Sequence, residues 1–166
     1  MTIAFMWAEA KDHVIGAAGQ LPWHLPADMQ HFKTVTQQQI VVMGRRTYAS
    51  IGKALPNRTN IVLSHQAKPT VAPSVLVMHQ RQEVLTYAHA HPQQETIVIG
   101  GAQIFSLFKT DVTKLYVTRI HAKFSGDTYM PALDWTTFTR QWQQVGQVDE
   151  KNHYPYVFEC YQRKSI

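Results

Sequence analysis

Asp28 stands in the segment Leu25-Pro26-Ala27-Asp28-Met29-Gln30-His31-Phe32-Lys33-Thr34-Val35, with Pro26 suited to a first helical turn. Leu25, Met29, Phe32 and Val35 recur at helical spacing, and Asp28 falls inside their stripe. An acid in a first turn complements the positive end of the helix dipole, and that alone explains many such residues. A carboxylate aimed into an apolar stripe must instead be paired, protonated or used. Asp28 is therefore a candidate for holding a polar ligand. Three later segments suit anions. Ile40-Val41-Val42-Met43 runs into Gly44-Arg45-Arg46-Thr47, gathering two guanidinium groups, a hydroxyl and free backbone N–H groups at a strand-to-helix turn. Thr96-Ile97-Val98-Ile99 runs into Gly100-Gly101-Ala102-Gln103, where missing side chains let a bulky group approach. Ser64-His65 closes the strand before it. Each signal is weak alone, and Gly100-Gly101 does not match GxGxxG. Together, at successive strand ends, they suggest a dinucleotide lying across the carboxyl edge of a sheet. Arg58, in Leu55-Pro56-Asn57-Arg58-Thr59, is either solvated or forked onto a ligand carboxylate.

These groups need a frame to hold them. Apolar, β-branched runs at Thr2–Trp7, Ile40–Met43, Thr59–Leu63, Val75–Met78, Thr96–Ile99 and Leu115–Ile120 read as buried strands. Helix-like stretches fall at about 27–36, 46–51, 82–90 and 102–108. The alternation predicts an α/β fold: a mainly parallel central sheet with helices on both faces. Thr139–Val148 and Tyr156–Gln162, with turn residues between them, predict a C-terminal antiparallel hairpin. Residues 9–24, with Gly16, Gly19 and Pro22, form a long connection closing on Trp23. A structureless loop of that length is uncommon unless it binds or covers something. No repeat or linker divides the chain, so 1–166 reads as a single domain.

At 166 residues and 45% hydrophobic, the chain can bury a core without metal or disulfide support. Cys160 is the only cysteine and cannot pair internally, which fits a reducing cytoplasm. The apolar run Ile3 to Ala8 is too short for a signal sequence or a membrane span, and Glu9, Lys11 and Asp12 follow it. A net charge of +5 suggests anionic partners. The basic residues are scattered, with adjacent pairs only at Arg45-Arg46 and Arg163-Lys164. A nucleic-acid-binding module would cluster them on one face, so small phosphorylated or carboxylated ligands are the better expectation. Nothing in the composition calls for a metal, a membrane or more than a monomer.

The motifs together resemble one family. Val14-Ile15-Gly16, four residues, Leu21-Pro22-Trp23, four residues, Asp28, three residues, Phe32, three residues and Thr36 is similar to the signature of the bacterial-type dihydrofolate reductases. The similarity continues in family order through Gly44-Arg45-Arg46-Thr47-Tyr48, Leu55-Pro56-Asn57-Arg58-Thr59-Asn60, Leu63-Ser64, Ile99-Gly100-Gly101, Leu115-Tyr116-Val117-Thr118 and Gly126-Asp127-Thr128. It implies NADPH-dependent reduction of 7,8-dihydrofolate to tetrahydrofolate, by hydride transfer to C6 and protonation at N5. By resemblance, Asp28 holds the pterin's 2-amino group and N3, with Thr118 beside it and Trp23 placing a water. Met6, Trp7 and Ala8 line the pterin pocket, Met29, Phe32, Ile51 and Leu55 form an apolar slot, and Arg58 takes the glutamate α-carboxylate. For the cofactor, the resemblance places Arg46 and Thr47, next to Gly44, near the pyrophosphate, with Gly100, Gly101, Ala102 and Gln103 on its other side across a cis peptide between the paired glycines. Arg45, Ser64 and His65 surround the 2′-phosphate, and Ile15, Leu63, Ile99, Ile104 and Phe105 complete the cofactor surface. Residues 9–24 become a mobile loop closing over the nicotinamide. Phe105 stands where tyrosine is frequent, and His65 where some members have serine. The rival on the same architecture is a reductase of riboflavin synthesis, which shares the nucleotide-binding turns but not Arg58 or the spacing from Leu21-Pro22-Trp23 to Asp28.

Overall fold

A computed structural model describes residues 1–165 of the chain. In chain order it forms β1 (Thr2–Glu9), β2 (Val14–Gly16), α1 (Pro26–Thr36), β3 (Ile40–Gly44), α2 (Arg45–Ile51), β4 (Thr59–Leu63), β5 (Leu76–Met78), α3 (Arg81–Ala90), β6 (Glu95–Gly100), α4 (Ala102–Leu107), β7 (Lys114–Ile120), β8 (Thr128–Tyr129), β9 (Phe138–Val145) and β10 (Tyr156–Arg163). Eight strands make one sheet in the order β5-β4-β3-β6-β1-β7-β10-β9. The six from β5 to β7 run parallel, and β10 and β9 close the far side antiparallel.

Side chains alternate across the pleat, so each strand feeds two cores. Ile3, Phe5 and Trp7 point to the face covered by α3 and α4, where they meet Val84, Ala88, Phe105 and Phe108. Ala4 and Met6 point the other way, toward Phe32 and Val35 of α1. Val41 and Met43 pack on that second face with Tyr48 and Ile51 of α2. All the parallel strands but the edge strand β5 are almost wholly buried, as their near-continuous apolar sequences require.

Two sequence expectations change. Residues 9–24 are not structureless: β1 extends to Glu9, a 3₁₀ turn spans Lys11–His13, and β2 pairs antiparallel with β8. The backbone polar groups of that stretch are met by this pairing, which joins segments too short to show a period. Gly126 makes it possible, since a Cβ there would sit 2.4 Å from Val14 Cγ1 and 2.6 Å from the Gly16 carbonyl oxygen. The ninth strand stops at Val145 rather than Val148. At the next residue, a Cβ on Gly146 would collide with the Tyr156 ring.

Candidate active site

Asp28 is the third residue of α1, on the face turned toward the sheet. Thr118 lies opposite Ala8 in the β1–β7 pairing, and its hydroxyl donates to Asp28 Oδ1 at 2.6 Å. Burial pushes the Asp28 carboxyl above its ordinary value, and the Thr118 hydrogen bond opposes that rise without cancelling it. The acid is a desolvated carboxyl turned toward the sheet face that carries Met6, Ala8 and Phe32. Trp23 is buried against Phe124, with ring centroids 5.6 Å apart. Its indole Nε1 has no hydrogen-bond partner among the described residues, which leaves a buried donor for a water or a ligand.

Met6, Ala8, Phe32, Ile51 and Leu55 face this same side of the sheet. Met29 is the exception in its stripe at 56% exposed, beyond the packed core. Trp7 is turned away. Strand alternation puts its indole on the opposite face, against Phe105 and Trp135, and Nε1 donates to Glu9 Oε1 at 2.8 Å. Its side chain therefore does not line the slot beside Asp28. Phe105 likewise points into the core, 5.0 Å from Phe5 between ring centroids.

Arg58 is held rather than solvated. Nε donates to Thr36 Oγ1 at 3.1 Å, Nη1 to the Pro56 carbonyl at 2.6 Å and Nη2 to the Lys33 carbonyl at 3.4 Å. A guanidinium has five N–H donors, so these bonds, among the described residues, leave one on each terminal nitrogen, the spacing a carboxylate takes.

The anion-suited segments converge at the carboxyl ends of neighbouring strands, as β3, β4 and β6 lie within one run of the sheet. Gly44 leads into Arg45 and Arg46, both exposed, and Thr47. The Gly100-Gly101 bond is cis. Gly100 has φ +135°, and a Cβ there would stand 3.4 Å from Thr47 Oγ1; one on Gly101 would stand 3.8 Å from it. The two glycines and Thr47 thus form a cradle that a side chain would fill, which fits a pyrophosphate bound between β3 and β6. Ala102, Gln103 and Ile104 follow in α4, and Ile99 leads in. Leu63 ends β4, Ser64 is buried and His65 is exposed beside it.

Gly100→Ala should destabilise the fold by about 1–3 kcal/mol, because an L side chain is strained at that φ. It should also weaken binding of a pyrophosphate-bearing ligand more than binding of a ligand held at Asp28. Calorimetric titration of the two ligands with the variant checks this, and equal losses count against the cradle.

Several residues near the site were given no role by the sequence, although Gly126-Asp127-Thr128 is among the family motifs. His79, after β5, has Nδ1 2.8 Å from the Ser64 carbonyl oxygen. Asp127 accepts from the Ala18 N–H at 3.0 Å while its own N–H donates to the Gly16 carbonyl at 3.1 Å. Ser50 Oγ donates to the Gly19 carbonyl at 3.1 Å, fastening the same loop to α2. Residues 14–20 are thereby pinned between β8 and α2, beside the cleft. Among the described residues, no group of three or more His, Cys, Asp or Glu could hold a metal ion, and no helix is long and apolar enough to cross a membrane.

The dihydrofolate reductase family model matches residues 2–163. A dihydrofolate reductase of Lactococcus lactis subsp. lactis is 37% identical over 161 residues, covering 95% of each chain. One from Enterococcus faecium is 39% identical over 161 residues, covering 96% of each. Among solved structures, dihydrofolate reductase from Enterococcus faecalis complexed with NADP(H) and RAB-propyl superposes with a TM-score of 0.91 at 40% identity, covering 99% of this chain and 97% of that one. With a family model spanning residues 2–163, relatives at 37–39% identity over nearly the whole length and a solved fold at a TM-score of 0.91, the chain belongs to the dihydrofolate reductase family.

Proposed function

We propose that the cleft between α1 and the sheet binds 7,8-dihydrofolate through Asp28, Thr118 and Trp23, with NADPH lying across the carboxyl ends of β3, β4 and β6. The chain carries out NADPH-dependent reduction of 7,8-dihydrofolate to 5,6,7,8-tetrahydrofolate. The observation that carries the site reading is the Asp28 carboxyl itself, desolvated and bonded to Thr118 in an apolar slot.

The hydride, from nicotinamide C4 to pterin C6, would be supplied by NADPH when bound. The residues of this chain bind, orient and exclude water. Asp28 takes the N–H groups of the pterin's 2-amino group and N3, and Thr118 fixes the carboxyl by donating to one oxygen. Asp28 lies at that edge of the ring rather than at N5, so the proton for N5 arrives through water, which the Trp23 indole N–H helps to place. Phe32, Ile51 and Leu55 pack the aromatic body, and Arg58 forks onto the glutamate α-carboxylate. Arg46, Thr47 and the glycine cradle would hold the pyrophosphate, and Arg45, Ser64 and His65 would hold the 2′-phosphate. The loop held by Asp127 and Ser50 covers the reacting rings.

Family membership sets aside the riboflavin-synthesis reductase and the nucleic-acid-binding module. We read residues 1–166 as one domain acting as a cytoplasmic monomer. The direct test is loss of reduced-nicotinamide absorbance when dihydrofolate is added. NADPH should be preferred over NADH by about a hundredfold or more, since two charge-assisted contacts to the 2′-phosphate, at about 1.5 kcal/mol each even at the low end of their range, total about 3 kcal/mol. Neutralising Arg45 and His65 should narrow that ratio, and equal use of both cofactors by the unmodified chain would sink the 2′-phosphate reading.

A further inference from the structure

Helix α1 begins without a cap of its own. The residue at its N-cap is Leu25, whose side chain has no polar atom to offer the free N–H groups of the first turn. The Asp28 N–H turns back to the Leu25 carbonyl at 2.9 Å. The Ala27 N–H is met from 125 residues away, by Asn152 Oδ1 at 2.8 Å. Asn152 is 8% exposed and sits in the connection between β9 and β10.

The amide of Asn152 is itself oriented. Its Nδ2 donates to Asp149 Oδ1 at 3.1 Å, and its backbone N–H donates to the same oxygen at 2.7 Å. The Lys151 N–H adds a third hydrogen bond to that oxygen at 2.9 Å, and the Asp149 N–H closes the turn on the Asn152 carbonyl at 2.9 Å. These backbone donors hold the Asp149 carboxyl below its ordinary value, so it is a charged acceptor throughout the working range. With Nδ2 committed to Asp149, the amide oxygen has one direction left, and Ala27 lies in it. The hairpin also braces α1 one turn further on, where the His31 ring stacks on Phe158 of β10 at 4.1 Å.

We infer that Asn152, set by Asp149, is a positioning residue for dihydrofolate reduction, capping α1 from the far hairpin and so fixing where the Asp28 carboxyl stands against Thr118. The inference rests on the reading of Asp28 as the pterin-holding group. Ala27 and Asp28 are consecutive in the first turn, so a shift at the capped N–H moves the carboxyl directly. Small displacements of a group that orients substrate are costly in rate.

The test compares Asn152→Ala, Asp149→Ala and the exchange Asp149→Asn/Asn152→Asp with the unmodified chain. Single-turnover oxidation of NADPH, dihydrofolate affinity, NADPH affinity and melting temperature are measured on each. The exchange keeps an acceptor toward Ala27, an acceptor for the turn N–H groups and a donor between the two side chains. Asn152→Ala is expected to lose about tenfold in hydride transfer and in dihydrofolate affinity while NADPH affinity holds, and the exchange should recover most of the loss. Asp149 is exposed, so Asp149→Ala keeps the question open to test if Asn152→Ala fails to fold, with a loss of about threefold expected. A lower melting temperature with unchanged dihydrofolate kinetics in both alanine variants would overturn the inference. So would NADPH affinity falling in step with dihydrofolate affinity, or an exchange variant as poor as Asn152→Ala. Asp28→Asn is run alongside. Ordinary turnover there overturns the site reading and this inference with it, whereas lost turnover there with ordinary kinetics in Asn152→Ala overturns this inference alone.

Discussion

Asp28→Asn should lose about a hundredfold or more in hydride transfer at neutral pH while leaving NADPH affinity almost unchanged. The substitution keeps the volume but removes the charge and one of two acceptor oxygens, and one acceptor is already bonded to Thr118. Pterin orientation and polarisation then both suffer. Stability should move the other way. Burial raises the folded-state value of this carboxyl above the unfolded value of about 3.9, so the folded chain binds a proton more tightly. The stability it contributes is fully present below that unfolded value and is lost as pH rises through the raised folded one. Above it, the unmodified chain carries a desolvated charge that the amide lacks, and the variant should melt at the same temperature or higher. Activity of the unmodified chain should decline with rising pH through an apparent value displaced upward from that of a free aspartate, with protonation at N5 contributing to the same limb. Stopped-flow absorbance across pH and thermal melts check these statements. Near-normal turnover of the variant at pH 7 would show that the acid only complements its helix.

Arg58→Leu should weaken dihydrofolate binding by ten- to a hundredfold, the loss expected when a charge-assisted fork of about 1.5–3 kcal/mol disappears. The fork is pre-aimed by the contacts to Thr36, Pro56 and Lys33, so little ordering cost offsets its formation. Thr36 keeps its bond to the Phe32 carbonyl in the variant, which limits damage to the end of α1. A pterin substrate lacking the glutamate tail should bind the two forms alike, and NADPH should not distinguish them. Equal loss for substrates with and without the tail would make Arg58 structural.

The inner parallel strands were legible because each is a run of apolar, β-branched residues buried on both sides, such as Ile40–Met43 and Thr59–Leu63. The convergence of Arg45–Thr47, Ser64-His65 and Gly100-Gly101 followed from their places at strand ends. Asp28 stood out through its position in an apolar stripe. What stayed hidden depends on pairings between distant segments. The β2–β8 pair is three residues against two, and no period can show in so short a stretch. Asp127 and Asn152 act on partners 109 and 125 residues away, through backbone N–H groups that sequence does not distinguish. The side of Trp7 was open to inference, because two-residue alternation sets it opposite Met6, yet family resemblance grouped the two together.

The place of β10 bears on how the molecule is made. It inserts between β7 and β9, two strands that precede it in the chain, and Cys160 at its centre is 1% exposed. During synthesis, β7 leaves the ribosome with one long edge open, and that edge stays open until residue 163 has emerged. An unpaired strand edge is a template for the wrong partner. At about 5–20 residues per second the gap between β7 and the end of β10 lasts seconds, and the sheet closes only after β10 is free to enter between its two neighbours.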